Sequence, residues 1–371
     1  MSTKAKVSRK ADKPAKPIKH KRGIHAVADL AGVSISTVSR VMNGATNVDT
    51  KISRRVWKAV SETSYVPNRH AQALISGRTR LIGLLVPDIM NPFFPELIHG
   101  FEQAAAAEGF GILIGSTHDQ SKETAEWVRR MLQHGIEGLA LLTFKEESAE
   151  VYGLLRKIPW VQIEISANSK GPGMVAIDYE PGIRQAVQHL AALGHRDIVF
   201  AAGAASDFTA ELRRKSFRKA MREIGIALES NIYNEDHTLE GGISAAHKIL
   251  KRETLPTAII CSNDLMAIGA LKILHSFGLN VPGDVSLIGL DDIHLAQFTS
   301  PPLSTIRLPR TQLAETCFET LFQLLRPNAR PPRGERVITD LIVRESTGFP
   351  PHALQSKATR TGKLARGVSQ E

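Results

Sequence analysis

Between residues 24 and 63 the apolar positions fall three and four apart: Ile24, Val27 and Leu30, then Val38, Val41 and Met42, then Ile52, Val56 and Val60. That period marks one face of an α-helix. Gly32 interrupts the first pattern, and Ser34 stands where a hydroxyl can accept from the free amides of the next helix. The turn GATNVD separates the second pattern from the third. The expectation is a helix, a tight turn, a helix and a third helix closing a small core, with Trp57 at its edge. A shorter pattern follows in YVPNRHAQALISG, residues 65–77, where Pro67 stops the preceding helix, Asn68 caps a new one and Gly77 ends it. A helix of about two turns is marginal by itself.

From Leu81 the texture changes to short apolar runs alternating with helical patterns. LIGLLV, GILIG, GLALL and VQIEI begin near 81, 111, 138 and 161, and DIVFA, TAIIC and VSLIGL near 197, 257 and 285. Between them lie helical patterns at 94–108, 124–134, 183–193, 212–224, 243–250 and 265–277. Strands spaced by helices imply βαβ units and parallel sheets. Two open α/β sheets joined by crossovers are the simplest reading, with ligands expected in a cleft outside the strand carboxyl ends.

Charge sharpens this division. The chain has 371 residues and a formal charge of +10. Residues 1–22 hold nine Lys or Arg against Asp12 alone, 352–371 hold four against Glu371, and 23–80 hold eight against three acidic residues. Residues 81–351 are net acidic. A cationic head on an acidic body suits a polyanion binder coupled to a sensor, although a Lys- and Pro-rich arm is also the composition of a solvated, disordered segment. The two cysteines, Cys261 and Cys317, sit in apolar patterns and read as small core residues in a reducing cytoplasm. No apolar stretch follows the basic start and no run approaches the roughly 20 residues of a membrane span, so a soluble cytoplasmic protein is expected. Walker, GxSxG and HExxH motifs and zinc-spaced cysteines are missing, so no enzyme activity, cofactor or metal is expected.

The string GVSISTVSRVMN resembles the DNA-binding segment of LacI/GalR-type bacterial regulators. The resemblance continues through VPDIMNPFFPELIHGFE, HLAALGHRDIVFAAG, PTAIICSNDLMAIGALKILHSFGLNVPGDVSLIGLDD and SPPLSTIRLP, from about 24 to 348. It implies an all-α helix-turn-helix domain with a hinge helix, followed by an α/β body of two Rossmann-like lobes of the periplasmic-binding-protein type. The implied boundaries are a basic arm at 1–22, the helix-turn-helix domain at 23–66, hinge and linker at 67–80, the body at 81–350 and a basic tail at 351–371. Within the body, lobe one is expected at about 81–177 and 307–336, and lobe two at about 178–306 and 337–350.

The second helix presents Ser34, Ile35, Ser36, Ser39, Arg40 and Asn43 outward, a short, polar and cationic front that suits a major groove. The same face also fits an ordinary helical hairpin with a solvated side. In the resembling family the hinge becomes helical when paired with its twin on DNA, and a leucine wedges into the minor groove. Asn68, Ala71 and Leu74 take those places, and such a wedge trades unstacking for a bend that seats both heads. The family commonly caps its first helix with Thr and follows with Asp. This chain has Gly23, Ile24, His25 and Ala26, so the first helix is expected to start less firmly. Ile35 and Ser36 are a less polar pair than bidentate base readers, which shifts base selection towards Ser36 and Arg40.

For the effector, residues at strand ends are the candidates: Phe93, Phe94, Glu164, Arg213, Asn263 and Asp291, joined by Thr209 and by His237 in the stretch NEDHTLEGG, where some relatives in the resembling family place an aromatic wall. Aromatic faces suit a sugar ring, and an Arg, an Asn and carboxylates suit hydroxyls or an acidic group. Asp207 is a weaker candidate, and Asp264 and Asp292 are read as helix caps. Together these imply a repressor whose affinity for a pseudo-palindromic operator is set by a sugar or sugar derivative bound between two lobes. The tail lacks a leucine heptad, so a homodimer is expected. A sequence-blind DNA binder driven by its tails and a cytoplasmic sugar-binding protein are the alternatives.

Overall fold

The computed structural model describes residues 23–42, 45, 48–66, 77–118, 120–144, 146–163, 172–205, 207–226, 231–326 and 335–351. The arm, the tail, Asn43, Asn68, Ala71, Leu74 and Glu164 lie outside the described residues. The chain divides into two compact units, one ending at Thr79 and the other beginning at Arg80.

In the first unit, α1 (Ile24–Ala31), α2 (Ile35–Met42) and α3 (Thr50–Thr63) enclose Val27, Ala28, Ala31, Val38, Val41, Val56 and Ala59. Gly32 ends α1 with φ 63°, a left-handed position that a side chain would strain. Arg55 of α3 donates from Nη2 to the carbonyls of Ala31 and Gly32, so α3 satisfies the end of α1. Gly23 offers α1 no side-chain cap, whereas Asp49 caps α3 by accepting from Lys51 N at 2.6 Å. Leu30 departs from the sequence pattern, being 54 % exposed. Val27, Ala28 and Ala31 share one side of the helix, and their small volumes let α3 approach closely. Leu30 falls outside that arc. Trp57 is likewise exposed.

In the second unit, one sheet runs in the order β11-β5-β4-β3-β1-β2: β1 (Leu81–Val86), β2 (Gly111–Ser116), β3 (Gly138–Leu141), β4 (Trp160–Ile163), β5 (Gly173–Asp178) and β11 (Glu335–Ile338). The other runs β12-β10-β9-β8-β6-β7: β6 (Ile198–Ala202), β7 (Ile232–Asn234), β8 (Ala258–Cys261), β9 (Ser286–Asp291), β10 (Ser304–Arg307) and β12 (Asp340–Ile342). All described pairings are parallel except β10 with β12. Helices cover the sheet faces, so strands such as IVFAA and AIIC are buried throughout and read as continuous apolar runs. Cys261 and Cys317 are free and buried.

The helices of this unit are α4 (Phe93–Ala107), α5 (Ser121–Gln133), α6 (Ala149–Leu155), α7 (Glu180–Ala192), α8 (Phe208–Glu223), α9 (Leu239–Leu250), α10 (Asp264–Ser276) and α11 (Arg310–Leu324). Among the described residues the chain passes between the sheets three times. It leaves β5 for α7 at Tyr179, leaves β10 for α11, which packs on α4, and passes from β11 to β12 at Thr339. Buried Thr339 joins two of these passages: its hydroxyl donates to Asp178 O at 2.8 Å and accepts from Gly182 N at 3.2 Å.

Candidate functional site

Two surfaces carry the chemistry. On α2, Ser34 caps the helix by accepting from Thr37 N at 3.1 Å, and its hydroxyl also meets that of Ser36 at 2.7 Å. Val38 and Val41 anchor the inner side, while Ile35, Ser36 and Arg40 are exposed and Ser39 is half-buried. Arg40 thus projects from a helix whose orientation is fixed by packing. Ser36 retains hydrogen-bonding capacity beyond Ser34, because a hydroxyl has one donor and two acceptor positions.

The second surface is a cleft of about 810 Å³ between the two sheets. Seven of the eight sequence candidates line it, namely Phe93, Phe94, Thr209, Arg213, His237, Asn263 and Asp291. One wall follows β1 and β3. Phe93 and Phe94 meet edge-on at 5.1 Å, with Phe144 at 5.9 and 6.1 Å, forming an aromatic cluster. Both Phe93 and Phe94 are buried, so they act as the floor of the wall. Asp88 and Asn91 shape the loop above them by accepting from Met90 N and Phe93 N.

The opposite wall is polar and built from the carboxyl ends of β6 to β9. Arg213, on the first turns of α8, is 6 % exposed. Its Nη1 donates to Ser262 O at 2.7 Å, its Nη2 to the Tyr179 hydroxyl at 3.2 Å, and the guanidinium lies 4.6 Å from the Tyr179 ring centre. Among the described residues its buried Nε has no hydrogen-bond partner. Burial pushes the Tyr179 phenol up, against the opposing pull of Arg213. Asp207 caps α8, accepting from Thr209 N and Oγ1, and meets His237 Nδ1 at 3.1 Å.

A carboxylate only accepts, so Nδ1 carries the proton and Nε2 accepts from Ser262 Oγ at 2.9 Å. Burial lowers the pKa of His237 and keeps the ring neutral. Burial alone would raise Asp207, but its hydrogen bonds to His237 and Thr209 and the nearby Arg213 guanidinium outweigh that and hold it at about 2. Asp207, His237 and Ser262 have the composition of a hydrolytic triad. Ser262 is fully buried and does not line the cleft, so the chain of bonds stiffens the wall.

Asn263 is the cap of α10: Oδ1 accepts from Met266 N at 2.8 Å, and Nδ2 donates to His237 O at 3.0 Å. Its neighbour Asp264 is therefore not the cap expected from sequence. Buried Asp264 accepts from Thr305 Oγ1 and Ile293 N, tying α10 to the ends of β9 and β10, and burial pushes its carboxyl well up. Asp292 also caps no helix, because it pairs with Arg344 at 2.6 Å.

Asp291 ends β9 with φ 118°, a conformation costing on the order of 1–3 kcal/mol for a residue with a side chain. Burial raises its carboxyl to about 6, against the pull of Arg213 and Arg310. Among the described residues no cation pairs with that carboxylate within 4.0 Å. Its carbonyl accepts from Arg310 Nη1, while Arg310 Nη2 donates to Asp292 O and to Glu96 Oε2 at 2.7 Å. Arg310 thus ties the strand end of one sheet to α4 beside the other.

Sequence reasoning missed Tyr179, Phe144, Asp88, Glu146 and Asp236 as parts of this site, and Arg310 and Arg214 as its braces. Asp88 and Phe144 had a usable signal, since each follows an apolar strand. The buried Arg214 had none; it secures the loop after β6 by donating to the carbonyls of Gly203, Ala204 and Ala205.

Residues 23–68 match the bacterial regulatory proteins of the lacI family, and residues 187–347 match a periplasmic-binding-protein-like domain. The chain is similar to the HTH-type transcriptional regulator DegA of Bacillus subtilis, at 35 % identity over 88 % of this chain and 98 % of that protein. It is similar also to the HTH-type transcriptional repressor PurR of Photobacterium profundum, at 32 % identity over 87 % of this chain and 98 % of PurR. Among solved structures, the Lac repressor dimer bound to operator and the anti-inducer ONPF has 28 % identity and a TM-score of 0.78, covering 90 % of this chain and all of that one. The CelR–cellobiose complex has 27 % identity and a TM-score of 0.67, covering 88 % of this chain and all of that one.

Proposed function

The chain belongs to the LacI family of bacterial regulatory proteins, and we propose that it is a cytoplasmic homodimeric repressor that reads a pseudo-palindromic operator and answers to a sugar or sugar derivative in its cleft. The observation that carries this reading is the front of α2, where exposed Ile35, Ser36 and Arg40 stand on a helix fixed from behind by buried Val38 and Val41. Arg suits the acceptor pair of a guanine edge, and Ser36 accepts either polarity. The N-terminus of such a helix is also suited to a phosphate.

In this reading Asn43 extends the reading face, and Asn68, Ala71 and Leu74 supply the paired hinge that bends the operator centre. The basic arm and tail add salt-sensitive attraction without base preference. No catalytic step is assigned. An effector touching both walls of the cleft alters operator affinity only if it binds one arrangement of the two sheets better than another. Arg310, held by Glu96 on one side and by the carbonyls of Asp291 and Asp292 on the other, is the contact that such a rearrangement strains or relaxes.

Arg40→Ala tests the reading helix. Specific binding to the selected operator is expected to fall about tenfold or more, since a good bidentate base contact contributes about 1–3 kcal/mol. Circular dichroism should remain unchanged because Arg40 is exposed. Undiminished specific binding would remove α2 from the role.

A further inference from the structure

Resting on the cleft being the effector site, we infer that its ligand is a donor-rich ring compound, hydroxylated or amine-bearing, and that the cleft rejects phosphorylated and carboxylated forms of the same ring. Among the described residues five carboxylates line it: Asp88 and Glu146 on the aromatic wall, and Asp207, Asp236 and Asp291 on the polar wall. Among the described lining residues Arg213 is the only Lys or Arg.

That guanidinium is partly engaged. Its two terminal nitrogens already donate to Ser262 and Tyr179, and its flat face rests on the Tyr179 ring. A parallel pair of N–H groups for an anion would have to come from Nε and one terminal nitrogen, and that guanidinium already lies in the field of the Asp207 and Asp291 carboxylates. The neutral ring of His237 adds no positive charge.

Ionised carboxylates accept hydrogen bonds and donate none, so their complement is a ligand that donates. Hydroxyls and ammonium groups do so, whereas a phosphate or carboxylate at neutral pH brings only acceptors. It also adds a like charge to a confined, partly desolvated space. Two further features point the same way. Among the described residues Arg213 Nε is buried without a partner and the Asp291 carboxylate has no paired cation within 4.0 Å, which leaves one donor and one acceptor that a hydroxyl can serve. The Phe93, Phe94 and Phe144 cluster supplies apolar surface for the carbon face of a ring.

The test is calorimetric titration of the full-length protein at pH 7.5 with matched sets of probes. Glucose, galactose and cellobiose would be set beside glucosamine and galactosamine, and beside glucuronate, galacturonate and glucose 6-phosphate. Binding is expected from neutral or aminated members, with the anionic counterpart of any binder at least about tenfold weaker. In Asp236→Asn, an exposed rim position, that ratio should narrow severalfold. A uronate or phosphate binding as tightly as its neutral parent overturns the inference, and so does a panel in which nothing binds. Operator binding by the same preparation, read by fluorescence anisotropy, separates failure of this inference from failure of the regulator reading.

Discussion

On α2 the groups turned outward are a cation and hydroxyls, held by a small core of Val and Ala, whereas the cleft presents carboxylates braced by buried guanidinium groups. The head opposes the charge of its proposed partner, and the cleft accepts hydrogen bonds where its proposed partner donates them. They differ as much in what supports them. Arg40 is exposed, and its removal is expected to cost little stability. Arg213 is buried, hydrogen-bonded and stacked, so the same residue type is a reading group in one place and a keystone in the other.

Removing the keystone should have the largest effect. Arg213→Ala strips partners from Ser262 O and Tyr179, and it removes the guanidinium near Asp207 and one of the two guanidinium groups near Asp291. A loss of about 3 kcal/mol or more is expected for such a buried charge. Thermal unfolding checks this, with a clear fall in Tm for Arg213→Ala and almost none for Arg40→Ala. Equal effects would erase the contrast.

Asp291→Asn sharpens it. The native carboxyl titrates at about 6 against an ordinary value of 3.8, so the folded state holds its proton more firmly than the unfolded chain. Its contribution therefore favours folding at low pH and is lost as pH rises from about 4 to about 6. Arg213 and Arg310 face it and oppose the shift, and the buried Asp264 shares its field. Above that window Asn should stabilise the ligand-free protein by on the order of 2 kcal/mol and should confer nothing near pH 4. Denaturant melts at both pH values read this, and destabilisation at pH 7.5 would contradict it.

Smaller effects are expected in the head. Ser34→Ala removes the α2 cap, and helical content in residues 23–66 should become less stable by about 1 kcal/mol. Leu30→Ala, at an exposed position, should change stability by less than about 0.5 kcal/mol despite its place in the apolar period. Chemical denaturation of the head, followed by circular dichroism, orders the two.

The head and the central strands of the body were legible because their signals are local: a period of three and four, a Ser cap, and apolar runs buried on both faces. β5, β7 and the last three strands were not. The six residues GMVAID alternate buried and half-buried positions, β7 has only three residues, and β11 and β12 are held in place by partners far along the chain. The cleft was half legible. Strand-end position pointed to Arg213 and Asp291. Which residue caps α10 depended on one place in sequence, with Asn263 accepting from Met266 N and Asp264 turned into the core. The role of Arg310 depends on the juxtaposition of Glu96 with the end of β9, which no local pattern encodes.

The most direct test is selection of genomic fragments by the purified protein at two salt concentrations, followed by sequencing. A two-fold symmetric motif with fixed half-site spacing that persists at the higher salt is the predicted result. Diffuse enrichment that vanishes with salt would assign DNA binding to the basic tails and contradict the account.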